Sequence, residues 1–251
     1  MTHSTSSRAN IRSHFRWLLL VGWLAAALGT CGPWVSHSTA ALSLSGADLG
    51  EFVKFLPQVQ DGSLPVQRQV FYLPAVAIVA GIALLAGSAQ LRYPGFLRVL
   101  ALLLALLISL HLLPPAWSPA SLSTGEFRLQ AIALLVCWLL LAGFWLLARL
   151  PLWLSGSFAA ALALLSSVLT AWQTRLIMPA INSIYGTPSS LGWGFYVSHA
   201  GLLVAAAASA YTARVWARGR FRSRNERRPD LHGGGHNGGG QNLGSPCMGE
   251  S

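Results

Sequence analysis

The chain has 251 residues, of which 53% are hydrophobic and only 10% charged, against about 25% charged in ordinary soluble domains. Once the apolar stretches are set aside, too little remains for a large soluble catalytic domain, and that class is excluded. The net charge of +10 would suit a nucleic-acid partner only if it were gathered on one compact surface, and it is instead distributed among the segments that join apolar stretches.

Residues 1–16 are polar and basic, with Arg8, Arg12 and Arg16, and read as a disordered N-terminus. Six apolar stretches follow, at 17–34, 73–91, 96–113, 129–148, 150–172 and 193–213. None holds a carboxylate, and the only cation among them is Arg98, at the start of the third. A helix rises about 1.5 Å per residue, so about 20 residues cross a hydrocarbon core of about 30 Å. The pattern predicts an all-α, polytopic transmembrane helix bundle of about six spans, with its membrane domain over 17–216.

Taken in chain order, the first stretch follows three arginines and resembles a secretory signal. Leu28-Gly29-Thr30-Cys31 resembles a lipoprotein cleavage box, with Thr30 where Ala or Gly is usual, and a cut after Ala40 is a second option. Its full spanning length favours a retained signal-anchor helix that stops at Gly32-Pro33-Trp34. The long outer loop 35–72 contains Ser45 as a helix cap, with Asp48 three residues on. Leu49, Phe52, Val53 and Leu56 then recur at helical spacing. This predicts a short amphipathic helix, Ala47–Leu56, lying on the bilayer surface or capping the bundle, with a lid over a pocket as the functional alternative.

The second and third spans form a hairpin through Arg92-Tyr93-Pro94-Gly95, a favourable turn sequence. The third span is a featureless Leu-rich run expected to face lipid, closed by Pro114-Pro115, with Trp117 as an interface anchor in the second outer loop. Arg149-Leu150-Pro151 separates the fourth and fifth spans, and a third outer loop is expected over 173–191. After the sixth span, residues 217–251 read as a disordered tail, basic and then Gly-rich. His232 and His236 lie in that glycine coil, and no metal site is expected of them. Cys31, Cys137 and Cys247 fit neither a metal motif nor a disulfide framework.

Thirteen of the 17 Lys and Arg residues fall on one side of this arrangement: before span one, between spans two and three and spans four and five, and after span six. The other side has Lys54, Arg68, Arg128 and Arg175, together with Asp48, Glu51, Asp61 and Glu126. The positive-inside rule then places both termini in the cytoplasm. The basic face suits the anionic lipids of an inner leaflet, with no nucleic acid needed. The bias to Arg, Ala, Leu and Gly suggests GC-rich coding and a bacterial cell (inner) membrane.

Candidate sites are few. Ion-coupled transport normally uses an intramembrane carboxylate, and the spans have none. His111 and His199 both fall in the outer leaflet. Together they could ligate haem, or one alone a chlorin; otherwise each donates to a backbone carbonyl or interfacial water, and no cofactor is expected. Small residues recur on span six as Gly201, Ala205 and Ser209, and on span two as Ala77 with Gly81 and Ala83 with Gly87, spacings that let helices approach closely. Arg175, Asn182, Tyr185, Trp193 and Tyr196 gather near the outer mouth of spans five and six, either as an interfacial belt or as the lining of a polar pocket. At about 100° per residue, Gly201, Ala205 and Ser209 lie on another side of the helix from His199, which is expected to face the outer end of span two, three or five, or the returning outer loop. Gly-x-Ser-x-Gly, His-Glu-x-x-His and phosphate-loop patterns are missing. These features predict a non-enzymatic accessory or structural component of a membrane assembly, with protein partners in the membrane. The alternatives are a small-solute permease or channel subunit and a haem- or pigment-binding protein.

Overall fold

A computed structural model describes the backbone over 3–37, 42–113, 118, 120, 124–186 and 188–226, and side chains over 14–36, 43–113, 118, 120, 124–186 and 188–218. The cut after Ala40, Pro114-Pro115, Trp117 and the tail beyond 226, with His232, His236 and Cys247, lie outside these residues.

The protein is mostly helical, and among the described residues five helices are long and apolar enough to cross a membrane. Helix α1 (His3–Cys31) begins well before the expected first span and takes in most of the N-terminal segment read as disordered. A short capping layer follows: α2 (Gly46–Phe52), a 3-10 turn Val53–Phe55 and α3 (Pro57–Gln60). Helix α4 (Leu73–Gly87) is buried along almost its whole length, as expected for a helix apolar on all sides. Helix α5 (Gly95–Ser109) buries Ala105, Ile108 and Ser109 while Leu100, Leu103 and Leu107 stay exposed.

The fourth stretch departs from expectation. Helix α6 (Arg128–Ala142) has 15 residues, only about 22 Å of rise. It breaks at Gly143, and a further turn, α7 (Phe144–Leu147), follows. Across the interface, the turn backbone sits against α4 so closely that a Cβ at Gly87 would overlap the Phe144 carbonyl.

Helix α8 (Leu152–Tyr185) has 34 residues and overrides the loop expected over 173–191. Pro179 costs one main-chain hydrogen bond, but Ile177, Ala180 and Ile181 are buried in the apolar cluster that covers this end of the bundle, which holds the turns around Pro179 in place. The helix stops at Gly186, whose φ of 68° is the left-handed cap and whose N–H donates to the Asn182 carbonyl. Helix α9 (Trp193–Glu226) also has 34 residues, so the tail expected from 217 starts as helix.

A small antiparallel sheet, missing from the all-helical expectation, joins the loops. Strand β1 (Val35–His37) lies between β2 (Leu42–Leu44) and β3 (Ser190–Leu191). Its register pairs Val35 with Leu44 on one side and with Leu191 on the other. The sheet fastens the chain after α1 to the chain before α9.

The packing sorts the polypeptide into two ends. At the terminal end the Tyr93 hydroxyl donates to the Arg16 carbonyl, and Phe15 stacks on Tyr211 with ring centroids 3.8 Å apart. At the loop end, Lys54 and Arg68 both reach Glu126. Leu49, Val53 and Leu56 of the capping layer are buried there with Trp34, Phe71, Ile181 and Phe195. The segment predicted over Ala47–Leu56 therefore caps the bundle, and Ser45 and Asp48 form the reciprocal capping box.

Candidate functional site

The most chemically distinctive region is a buried polar cluster at the loop end, where α1, α8 and α9 meet. It forms because these helices approach closely along small residues. Gly22, Ala26 and Gly29 of α1 run antiparallel to Gly194, Ser198, Gly201 and Ala205 of α9. A Cβ on Gly22 would stand 2.7 Å from the Ala205 backbone nitrogen, and one on Gly29 would overlap the Ser198 backbone. Gly156 of α8 lies equally close to α9, where a Cβ would stand 2.9 Å from the Ser209 carbonyl oxygen. Gly201 and Ala205 thus face α1, and Ser209 faces α8. On α4, Ala77, Gly81, Ala83 and Gly87 are all buried; Gly81 lies under the Trp23 ring. The matching small residues of α1 were missed in the sequence reading, although the Gly22-x3-Ala26-x2-Gly29 spacing signals them.

Within this seam, His199 is 8% exposed. Its Nδ1 lies 2.7 Å from the Phe195 carbonyl oxygen, and its Nε2 lies 3.3 Å from Thr170 Oγ1. A carbonyl can only accept, so Nδ1 carries the proton and the neutral ring leaves Nε2 as an acceptor. The Thr170 hydroxyl is also 2.6 Å from the Ser166 carbonyl and 3.4 Å from the Ser167 carbonyl, so its single proton is shared among three acceptors. The ring packs against Phe195 and Trp34, with centroids 4.1 Å and 5.2 Å away. Trp34 donates its Nε1 proton to the Gly29 carbonyl. Thr30 and Ser198 bond to each other at 3.1 Å beside this ring stack. His199 turns toward α8 and the chain following α1, away from the Gly201–Ala205 face.

His111 does not meet His199 in a shared site. Its Nε2 lies 3.5 Å from Cys31 Sγ, at the exposed edge where α1 ends. A thiol beside an imidazole is the beginning of a nucleophile–base pair, but such a pair works when a third group orients the base. Among the described residues His111 has no such group. The two residues are 80 positions apart, and no local pattern announces the contact. Both nitrogens of His199 are already engaged, so binding a metal there would require it to give up one hydrogen bond. The described residues contain no group of three or more His, Cys, Asp or Glu side chains placed to hold a metal ion.

A second polar network ties the capping layer to α6. Glu126 accepts from Arg68 at 2.9 Å and Lys54 at 3.2 Å, and Lys54 pairs with Glu51 at 3.0 Å. Tyr72 donates to Glu51 at 2.5 Å. The Arg68 and Lys54 bonds hold the Glu126 carboxyl below its ordinary range, while Glu51 holds the Lys54 ammonium above its own. Of the residues expected near the mouth of α8 and α9, Asn182 accepts from the Ser189 N–H at 2.7 Å, while Trp193 covers Gly32. Tyr196 is exposed. No protein family, curated protein or solved structure matches the chain.

Proposed function

We infer that this chain is a non-enzymatic accessory or structural component of a larger membrane assembly, crossing a bacterial inner membrane six times with both termini in the cytoplasm. The observation that carries the reading is the absence of a polar path through the described bundle. Thr30, Ser166, Ser167, Thr170, Thr174 and Ser198 occupy the half toward the loop end, whereas Ser155 and Ser209 lie toward the terminal end. Buried Ala159, Ala163, Leu202 and Ala205 fill the interval. A cavity between α1, α4, α8 and α9, lined by Trp23, Gly81, Ser155 and Ser209, measures about 20 Å³, room for a single water-sized molecule rather than a solute. A permease needs a continuous polar route, so the packing favours the accessory reading over it.

The sixth span is supported by connectivity. Glu126, just before α6, bonds Arg68 at the loop end, and α7 packs on Gly87 near the opposite end, so the broken α6–α7 pair traverses the bundle. Purification in mild detergent is the test. A particle larger than the monomer, with a reproducible co-purifying membrane protein and no Soret or chlorin band, is expected. A clean monomer that speeds solute flux into liposomes would replace the accessory reading with the permease.

A further inference from the structure

At the terminal end, a cleft of about 80 Å³ opens between α1, the 3-10 turn Ala89–Leu91 and α9, lined by Phe15, Arg16, Gln90, Tyr211, Thr212 and Trp216. Arg16 is its cation. The guanidinium carbon stands 5.3 Å from the centre of the Trp17 ring, and Nε is buried with no hydrogen-bond acceptor. A second cleft, on the α5 side of α1, contains Tyr93 and Arg98, and Arg98 Nε is also buried without an acceptor. A buried donor left unpaired is costly, more so on a charged group, and two at one end of a bundle call for an explanation.

Among the described residues, no side chain supplies the missing acceptor. The four described carboxylate side chains, Asp48, Glu51, Asp61 and Glu126, all lie at the loop end, and the sequence has no Asp or Glu between Glu126 and Glu226. Arg16 thus lines the cleft with no described carboxylate near it, and an anion seated in the cleft would balance its charge. A solvated counter-ion fits poorly beside Phe15, Trp17, Tyr211 and Trp216, an aromatic surrounding typical of a bilayer interface. A phosphodiester already anchored in the bilayer fits well, because basic pockets between helices on the cytoplasmic side take acidic lipid head groups.

We propose that the cleft between α1, the Ala89–Leu91 turn and α9 is a binding site for the phosphate of an anionic phospholipid, with Arg16 as its principal ligand and the Gln90 amide at its rim. The proposal rests on the reading that this end faces the cytoplasmic leaflet.

The experiment is native mass spectrometry of the detergent-purified full chain titrated with phosphatidylglycerol or with phosphatidylcholine. A preference for phosphatidylglycerol of about five-fold or more is expected, and Arg16→Gln should remove about that factor, the effect of one cation at an anionic surface. Arg16→Lys should retain most of it. Gln90→Trp, at an exposed position on the rim, should block the lipid without touching the cation, so the test survives if Arg16→Gln fails to fold. The exposed Arg92→Gln serves as control and should bind normally. Equal losses in Arg16→Gln and Arg92→Gln would overturn the site in favour of diffuse charge. Competition by millimolar inorganic phosphate as strong as that by lipid would overturn the lipid assignment. If the lipid binds as expected while surface labelling puts this end outside the cell, the site stands and the orientation falls.

Discussion

At the scale of single residues, the glycines and His199 differ sharply in what they support. Gly201 sits where a Cβ would overlap Ala26 and stand 2.7 Å from the Gly22 carbonyl oxygen, so any side chain forces α1 and α9 apart. Gly201→Leu is expected to lower stability by about 3 kcal/mol, the upper range for overpacking. Gly95→Ala, where a Cβ meets nothing within 4 Å, should change it by about 0.5 kcal/mol or less. Thermal unfolding in one detergent compares the two, and equal melting shifts would mean that the seam does not set stability. His199 makes two hydrogen bonds, but Thr170 retains the Ser166 carbonyl as an alternative acceptor. His199→Phe should therefore cost only about 1 kcal/mol, in line with hydrogen bonds inside membranes. A loss as large as that of Gly201→Leu would show that the ring is needed for more than its two local contacts.

At the scale of elements, the capping layer is held from below by apolar contacts and from the side by charge. Leu49, Val53 and Leu56 seat it on Trp34 and Ile181, and Glu126 clasps Lys54 and Arg68. The sign of the pH response follows from the shifts. Glu126 is held below its ordinary range, so its contribution is present above the unfolded carboxylate value of about 4.3 and is lost as pH falls through the lowered one. Lys54 is held above its ordinary range, so its share is complete below about 10.4 and is lost as pH rises through the raised value. Amide exchange over residues 46–60 should stay slow relative to intrinsic rates between these limits and quicken below about pH 4. Glu126→Gln should remove that acid sensitivity; an unchanged acid response in the variant would assign it to another carboxylate.

At the scale of the whole molecule, the two ends differ in charge as well as in construction. The loop end carries the four described carboxylates, two of them paired with Lys54 and Arg68, while the terminal end carries Arg16, Arg92, Arg98, Arg149 and Arg214 without a described acidic side chain. That asymmetry predicts the orientation. Ser63, exposed beyond α3, should, as Ser63→Cys in a chain with its three native cysteines replaced, react with an impermeant maleimide in intact cells. Labelling only after cell disruption would reverse the topology.

The sequence by itself determined the membrane class, the apolar stretches and the capping signal at Ser45, because each depends on composition or on neighbours within one helical turn. The small-residue spacing at Gly201 and Ala205 was equally legible, but what it faces was not, since a helix face carries no address for its partner. Tertiary packing decided the rest. The buried positions Ile177 and Ile181 carry α8 through Pro179, and the contact with Gly87 accompanies the break in the fourth stretch at Gly143. The closure of α1 on α9 brings Thr30 to Ser198 and His199 to Thr170, and α5 brings His111 to Cys31. These are contacts between residues 29 to 168 positions apart. Local propensity cannot encode such pairings, and only the competition for burial among whole helices selects them.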